Sequence, residues 1–409
     1  MHKGGALLAA ALCSAGCAAL AGLEGTFVVG DTMTSTVSST GTGAAAGSGG
    51  SSAQGGSAGT GGGAGAEPWL EGYDARKGIR FEATRAQLDD FVAAVVIETD
   101  PDLVGAAQPN GEDIAFTAAD GITPLSHEVE LYNGTNGTLV AWVRIPSLLP
   151  QEPTFAYLYW GNPLASDQQD VHGTWADRYA GVWHLGENPA TGLAAVFSDS
   201  SRSGNDGQLY DGLYQPARAR GIAGGALQFP GNGAAITLGD PADGSLDFDL
   251  SSFSFSVWVY VDASAGPWDM PWFKGGSSIG NAGYDFELGA SAWNVGVSDG
   301  TQIEVQAFGA ETDFLGAWTH LVAVVDRSGS QLVPYANGSP QAPGDLSGFG
   351  SISTDIPASI GHATHVMQGR VDEVRIYSEA LSSEWIDAEY RNLAEPASFY
   401  QVGPTELAP

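Results

Sequence analysis

Basic residues are scarce in this chain. Of 409 residues, 15 are Lys or Arg against 47 Asp or Glu, a formal charge of −32. So few cations leave little with which to release counterions from DNA or RNA, and no nucleic-acid partner is expected. The same shortage argues against adhesion to an anionic lipid surface. The carboxylate excess favours a soluble exterior and sites for divalent cations. Cysteine is nearly absent: Cys13 and Cys17 are the only two. No disulfide framework, CxxC zinc site or thiol nucleophile is available further along. Long apolar runs are missing too. The apolar stretch 6–12 follows a short basic start at His2 and Lys3 and is too short to span a bilayer as a helix. No Walker loop, dinucleotide fingerprint or HExxH spacing occurs. The Gly-x-Ser-x-Gly match, residues 55–59, lies in a Gly-rich stretch that cannot form a strand-to-helix elbow. No residue is therefore assigned a catalytic role.

What the chain has in quantity is glycine, with 58 residues, and aromatics, at 10%. That aromatic content implies a folded core in part of the chain. At roughly 150 residues per domain, the length predicts two or three domains. Residues 1–22 read as an export signal. Residues 23–66 are mostly Gly, Ser, Ala and Thr, with no large apolar side chain after Val37. Such a stretch cannot offset its ordering entropy and is expected to be a flexible tether.

Residues 67–166 then show short β runs, among them 91–97, Val140-Ala141-Trp142-Val143 and 155–160. Turn signals such as Asp120-Gly121, Asn133-Gly134 and Asn136-Gly137 separate them. A β-sandwich fits. Residues 170–405 are also β in pattern. In 253–261 the residues Phe253, Phe255, Val257, Val259 and Val261 share one face, expected to be core. Ser254, Ser256, Trp258 and Tyr260 share the other, which suits an outer face or a concave ligand surface. One short helix is expected late, with Ser382 as N-cap, Glu384 in the first turn, and Leu381 and Ile386 as a hydrophobic staple. The fold class is therefore all-β: two β-sandwich domains after a disordered linker.

Candidate ligand residues follow from chemistry. Sugars want aromatic faces and a few polar groups in a concavity. Trp268 with Asp269, in a loop running into a strand, and Trp293 with Asn294 after a turn, have that composition. The plainer alternative is that these tryptophans fill sandwich cores. The loop 199–207 is rich in the oxygen ligands calcium prefers. Glu128 and Glu130 alternate onto one strand face. Paired carboxylates there suit acid–base work or a cation, while the ordinary expectation is a solvated face. His127 beside them has no visible partner.

Several stretches resemble known families. Ser14-Ala15-Gly16-Cys17 resembles a bacterial lipobox, which implies lipidation of Cys17. Ala18 after it then points to the outer membrane. Cleavage after Ala19-Leu20-Ala21, with free secretion, is the alternative. Gly111-Glu112-Asp113-Ile114-Ala115-Phe116, His127-Glu128-Val129-Glu130, 141–146 and 157–162 together resemble the DUF2341 family. That family is extracellular and has no established activity. Gly181-Val182-Trp183-His184-Leu185, the 199–207 loop, Ala226-Leu227-Gln228-Phe229, Tyr335-Ala336-Asn337-Gly338 and 369–377 resemble a laminin-G-like, concanavalin A-type jelly roll. That resemblance implies a structural calcium held by Asp199, Asn205 and Asp372. Otherwise Asp199 caps a turn and Asp372 pairs with Arg370 or Arg375. The acidic Glu-x-Asp-x-x-Glu cluster of jelly-roll glycanases is absent; Asp285-Phe286-Glu287 and Asp372-Glu373 do not reproduce it. The resemblance implies an exported bacterial cell-surface binding or adhesion protein for a glycan or a surface protein. It would meet the membrane only through its amino-terminal lipid. A glycan-processing hydrolase with unrecognised carboxylates and a structural spacer are the alternatives.

Overall fold

The computed structural model describes residues 68–261, 269–276, 280–289 and 292–409. The expected export signal, the tether and Cys17 lie outside them. Strands dominate the described residues, and they form two β-sandwiches, as the sequence pattern predicts. No described helix is long and apolar enough to cross a membrane.

In the first sandwich a three-stranded sheet faces a four-stranded one. Leu88–Ile97, Thr138–Leu148 and His127–Asn133 make the first sheet, in that spatial order. Ala75–Phe81, Thr154–Trp160 and Ala115–Ala118 make most of the second. Its edge is supplied from the far end of the chain. Tyr400–Leu407 pairs antiparallel with Ala75–Phe81, from Ala75 opposite Leu407 to Phe81 opposite Tyr400. The sequence reading assigns residues up to 405 to the second region; this strand lies in the first region's sheet instead.

The expected late helix is present as Ser383–Ala394, with the Ser382 side chain accepting from the Trp385 N–H and Glu384 in the first turn. Leu381 and Ile386 are both buried in one apolar cluster, as a staple requires. The helix packs on the first sandwich. Asn392 reaches across with both amide atoms: the Ala94 N–H donates to its Oδ1 at 2.7 Å and its Nδ2 donates to the Ala94 carbonyl at 3.0 Å. The Tyr400 hydroxyl engages the Val96 N–H and carbonyl in the same way. These contacts satisfy the open edge of the Leu88–Ile97 strand, which would otherwise present unpaired backbone groups.

The second sandwich is the jelly roll. One large sheet contains Phe253–Tyr260 between Gln368–Tyr377 and Trp318–Asp326. Tyr179–Trp183 pairs with Gln368–Tyr377. The other large sheet contains Ala282–Leu288 and Ala292–Asp299. Phe253, Phe255, Val257, Val259 and Val261 point into the core as the alternation predicts. The opposite face is not a ligand surface. Ser254, Ser256 and Trp258 are buried, and Trp258 belongs to the apolar cluster that fills the first sandwich. Its ring stacks on His320 at 4.8 Å, with Tyr390 of the late helix at 6.0 Å. The two sandwiches are therefore fused through the outer face of a jelly-roll sheet.

Candidate functional site

Where the sandwiches meet, charges are buried together. Glu128 and Glu130 lie on His127–Asn133, which pairs with Thr138–Leu148. Glu128 is opposite Trp142, but the register slips between Val129 and Leu131, leaving Glu130 as the extra residue of a β-bulge. Bulges re-aim side chains. The Trp142 indole N–H donates to Glu130 Oε2 at 3.0 Å. The Trp175 indole donates to Glu128 Oε2, and the Ser200 hydroxyl to Glu128 Oε1 at 2.8 Å.

The jelly roll contributes His184, Glu373 and Arg375. His184 follows the strand Tyr179–Trp183 and stacks on Trp142 with centroids 5.2 Å apart. Its Nδ1 lies 2.8 Å from Glu373 Oε1 and its Nε2 lies 3.2 Å from Glu128 Oε2. Nδ1 is also 4.0 Å from Glu130 Oε2. With a carboxylate facing each ring nitrogen, both nitrogens donate and the ring is an imidazolium. One charged histidine thus bridges a carboxylate from each sandwich. Arg375 Nη2 donates to Glu373 Oε2 at 2.7 Å, and its guanidinium lies over the Trp142 and Trp175 rings at 4.6 and 5.1 Å. Glu373 itself and Leu185, the residue after His184, both hold positive φ, at 48° and 60°. Such backbone is uncommon for non-glycine residues and persists only where its surroundings enforce it.

The titration pattern follows from charge balance. Two buried cations, His184 and Arg375, neutralise two carboxylates. Burial opposes ionisation of Glu128, but the His184 charge and its donors hold the carboxyl below the usual range. Burial also opposes Glu373, and His184 with Arg375 outweighs it downward. The remaining acids go the other way. Burial pushes Glu130 up to about 7, with the Glu373 charge adding to it against the pull of His184. Burial, then the charges of Glu373 and Glu130, lifts Asp372 well above its ordinary value. Burial of His184 disfavours its charge, yet Glu373 and Glu128 raise it well above 6.5. The cluster is thus close to neutral.

Glu128, Glu130 and His184 form part of the wall of a cleft of about 270 Å³, with Glu187, Ser198, Ser200, Arg218, Val129, Leu131, Gly186 and Gly225. Ligand atoms of Glu130, His184 and Glu373 lie within 4.8 Å of one another. The cleft's size is near the lower end of small-molecule sites, roughly 300 Å³. Carboxylates, a hydroxyl and backbone groups equip it to bind ligand hydroxyls or amines.

The residues singled out from sequence lie elsewhere. Trp293 is fully buried in the jelly-roll core, so it offers no face to a sugar; the plainer reading of a core tryptophan holds for it. Its neighbour Asn294 is half-buried and donates to the Ala292 carbonyl at 3.0 Å. Asp269 is buried and accepts from the Gln368 N–H at 3.2 Å. Trp268 lies outside the described residues. Asp199 accepts backbone N–H groups from Val182 and Ser201 on Oδ1 and from Asn205 on Oδ2, at 2.8–2.9 Å. It thereby orders the loop that presents Ser200 to Glu128. Asn205 donates from Nδ2 to Ser245 Oγ at 3.0 Å. Asp372 accepts from the Ile222 and Ala223 N–H groups on one oxygen and Glu373 N–H on the other. Each carboxyl is thus satisfied by backbone donors, and neither supplies a ligand atom to the Glu130–His184–Glu373 group. His127 is buried, its ring nitrogens against the Leu125 and Ile114 carbonyls.

The alternation of Glu128 and Glu130 allows either paired-carboxylate chemistry or a solvated strand face; the second sandwich covers them, so the face is not solvated. The available signal was charge inside otherwise apolar strands of both regions, at Glu128, Glu130, Glu373 and Arg375.

Comparison with known proteins matches both regions, in the order the sequence implies. Residues 110–203 match a domain of unknown function, DUF2341. Residues 230–387 match the concanavalin A-like lectin/glucanases superfamily in its laminin G form. No curated protein matches the chain. Among solved structures, the binding domain of Paraclostridial Mosquitocidal Protein 1 is similar at 15% identity and TM-score 0.43, covering 54% of this chain and 53% of that one. The botulinum neurotoxin serotype D ligand binding domain in complex with N-acetylneuraminic acid is similar at 12% identity and TM-score 0.41, covering 54% and 52%. This chain spans about half the length of those structures.

Proposed function

We propose that this protein is an exported surface-binding protein of the lectin type whose ligand seat is the acidic cleft between its two sandwiches. The cleft carries the reading: it is a concavity at a domain junction, with polar groups fixed by a buried ion network. A concanavalin A-like superfamily match over residues 230–387 supports carbohydrate as the ligand class. The lining adds selectivity. Glu128 is already paired with His184, and burial raises both Glu130 and Glu187, so the lining carries little net charge beside the exposed Arg218. Carboxyl oxygens that accept from hydroxyls and amines, in a seat near neutrality, favour neutral or amine-bearing sugars.

Export, lipid attachment at Cys17 and calcium dependence belong to the same proposal. A glycan array probed with the full chain, in calcium buffer and again with chelator, tests binding and calcium together. Neutral or amino-sugar hits weakened at least tenfold by Ser200→Ala or Glu187→Gln support the cleft. Hits untouched by both substitutions move the ligand elsewhere, and no hits favour a protein partner or a spacer. Loss of lipid labelling in Cys17→Ser tests the anchor.

One observation favours hydrolysis as a second reading. Glu130, raised to about 7, and Glu128, held low, line one cleft, the divergence that acid–base pairs show. Release of reducing ends from an oligosaccharide, abolished by both Glu128→Gln and Glu130→Gln, is the result that would select it.

A further inference from the structure

Away from the cleft, the jelly roll encloses another cation. Lys274 closes the short strand Trp272–Lys274, and its side chain is wholly buried. Its Nζ donates to Asp240 Oδ1 at 2.8 Å, to the Thr354 carbonyl at 3.2 Å and to the Ile356 carbonyl at 3.3 Å. Asp247 Oδ1 stands 3.5 Å away. The two aspartates come from the connection between Ile236–Gly239 and Phe253–Tyr260, and the carbonyls from the stretch before Ala358–Ile360. Asp247 Oδ1 also accepts the Thr354 N–H at 3.0 Å, so the two segments are joined without the lysine.

Two carboxylates and two carbonyls around one point are the donor set of a hard divalent cation. An ammonium has only three protons to offer four oxygens. It also cancels one of the two negative charges. We propose that this cage is a divalent-cation seat which Lys274 fills from within, a tethered ammonium in the place a calcium ion would take. The inference goes beyond the cleft reading and does not rest on it. A tethered cation needs no free metal, so the two carboxylates keep a counter-charge in calcium-poor surroundings. The cage is also reachable from solution, because the Asp240 and Asp247 side chains are 33% and 19% exposed. Removing the ammonium leaves two carboxylates facing each other, and a calcium ion from solution relieves their repulsion.

The test compares wild type with Lys274→Ala, which empties the place of the ammonium, using calcium chloride as the probe in calorimetric titration and thermal melts. The expected result is one more bound calcium per chain in Lys274→Ala than in wild type. Calcium also raises the variant's melting temperature by more than it raises that of wild type. Adding Asp240→Asn removes the extra ion. If Lys274→Ala does not fold in chelator, refolding on addition of calcium supports the seat. Failure to refold with calcium overturns it, as does a folded Lys274→Ala that binds no additional ion. Counting the difference from wild type keeps any calcium held near Asp199 or Asp372 out of the result.

Discussion

The jelly roll and the first sandwich solve burial differently. Every residue of the jelly-roll core lies between Ala180 and Ile376, within that one stretch of chain. The core of the first sandwich does not close on its own residues. Its cluster takes in Trp258, Val322 and Val324 from the jelly roll's outer face, and Trp385, Ile386, Phe399 and Tyr400 from the carboxyl-terminal segment. One region is self-sufficient and the other is completed by its partner. The cleft therefore exists only when both are assembled, since its walls come from each.

Removing residues 383–409 attacks this asymmetry hardest. It strips the Tyr400–Leu407 strand and the Asn392 edge contacts from the first sandwich while leaving the jelly-roll core intact. The expected outcome is early proteolysis of residues 68–175 around a surviving jelly roll, with two separate melting transitions. A single lowered transition would show that the two regions stand or fall together.

His184→Ala acts on the bolt between them. It leaves Glu128 and Glu373 buried without the charge that joined them. Breaking a buried pair of this kind costs about 3–5 kcal/mol, to be read from urea denaturation. A cost under about 1 kcal/mol, the size of an exposed pair, would mean the bridge is not what joins the regions.

Glu130→Gln gives a smaller effect that depends on pH. The Glu130 carboxyl goes from an ordinary value of 4.5 to about 7 in the fold, so the folded state favours its protonated form. That contribution is complete below 4.5 and is lost as pH rises through about 7. Stability of wild type relative to Glu130→Gln should fall by about 3 kcal/mol across that window, and level off above it. A flat difference curve would place Glu130 in a more solvated setting than the junction provides.

The local pattern carried the strands well. Alternation at Phe253–Val261 predicts the inward face, and Ser382 with Glu384 predicts where the late helix starts. What it could not carry was pairing across long separation. Tyr400–Leu407 contains Gly403 and Pro404 and lacks clean alternation, as an edge strand can. Nothing in those eight residues points to Ala75–Phe81. The site was hidden for a related reason. Alternating glutamates look the same whether water or a second sheet covers them, so Glu128 and Glu130 became a site only through docking. Trp293 erred in the opposite sense: a polar neighbour and a nearby turn suggested exposure, and the sheet partner Leu288 and the core enclose the ring.

The first strand has a mechanical consequence. Ala75–Phe81 lies inside its sheet, laddered to Thr154–Trp160 on one side and Tyr400–Leu407 on the other. A pull applied on the amino-terminal side of Ala75 enters the fold through this strand. Pulling along the strand axis shears both ladders at once, so their hydrogen bonds resist together instead of opening one after another. The carboxyl-terminal strand that completes the fold is therefore also its grip under force.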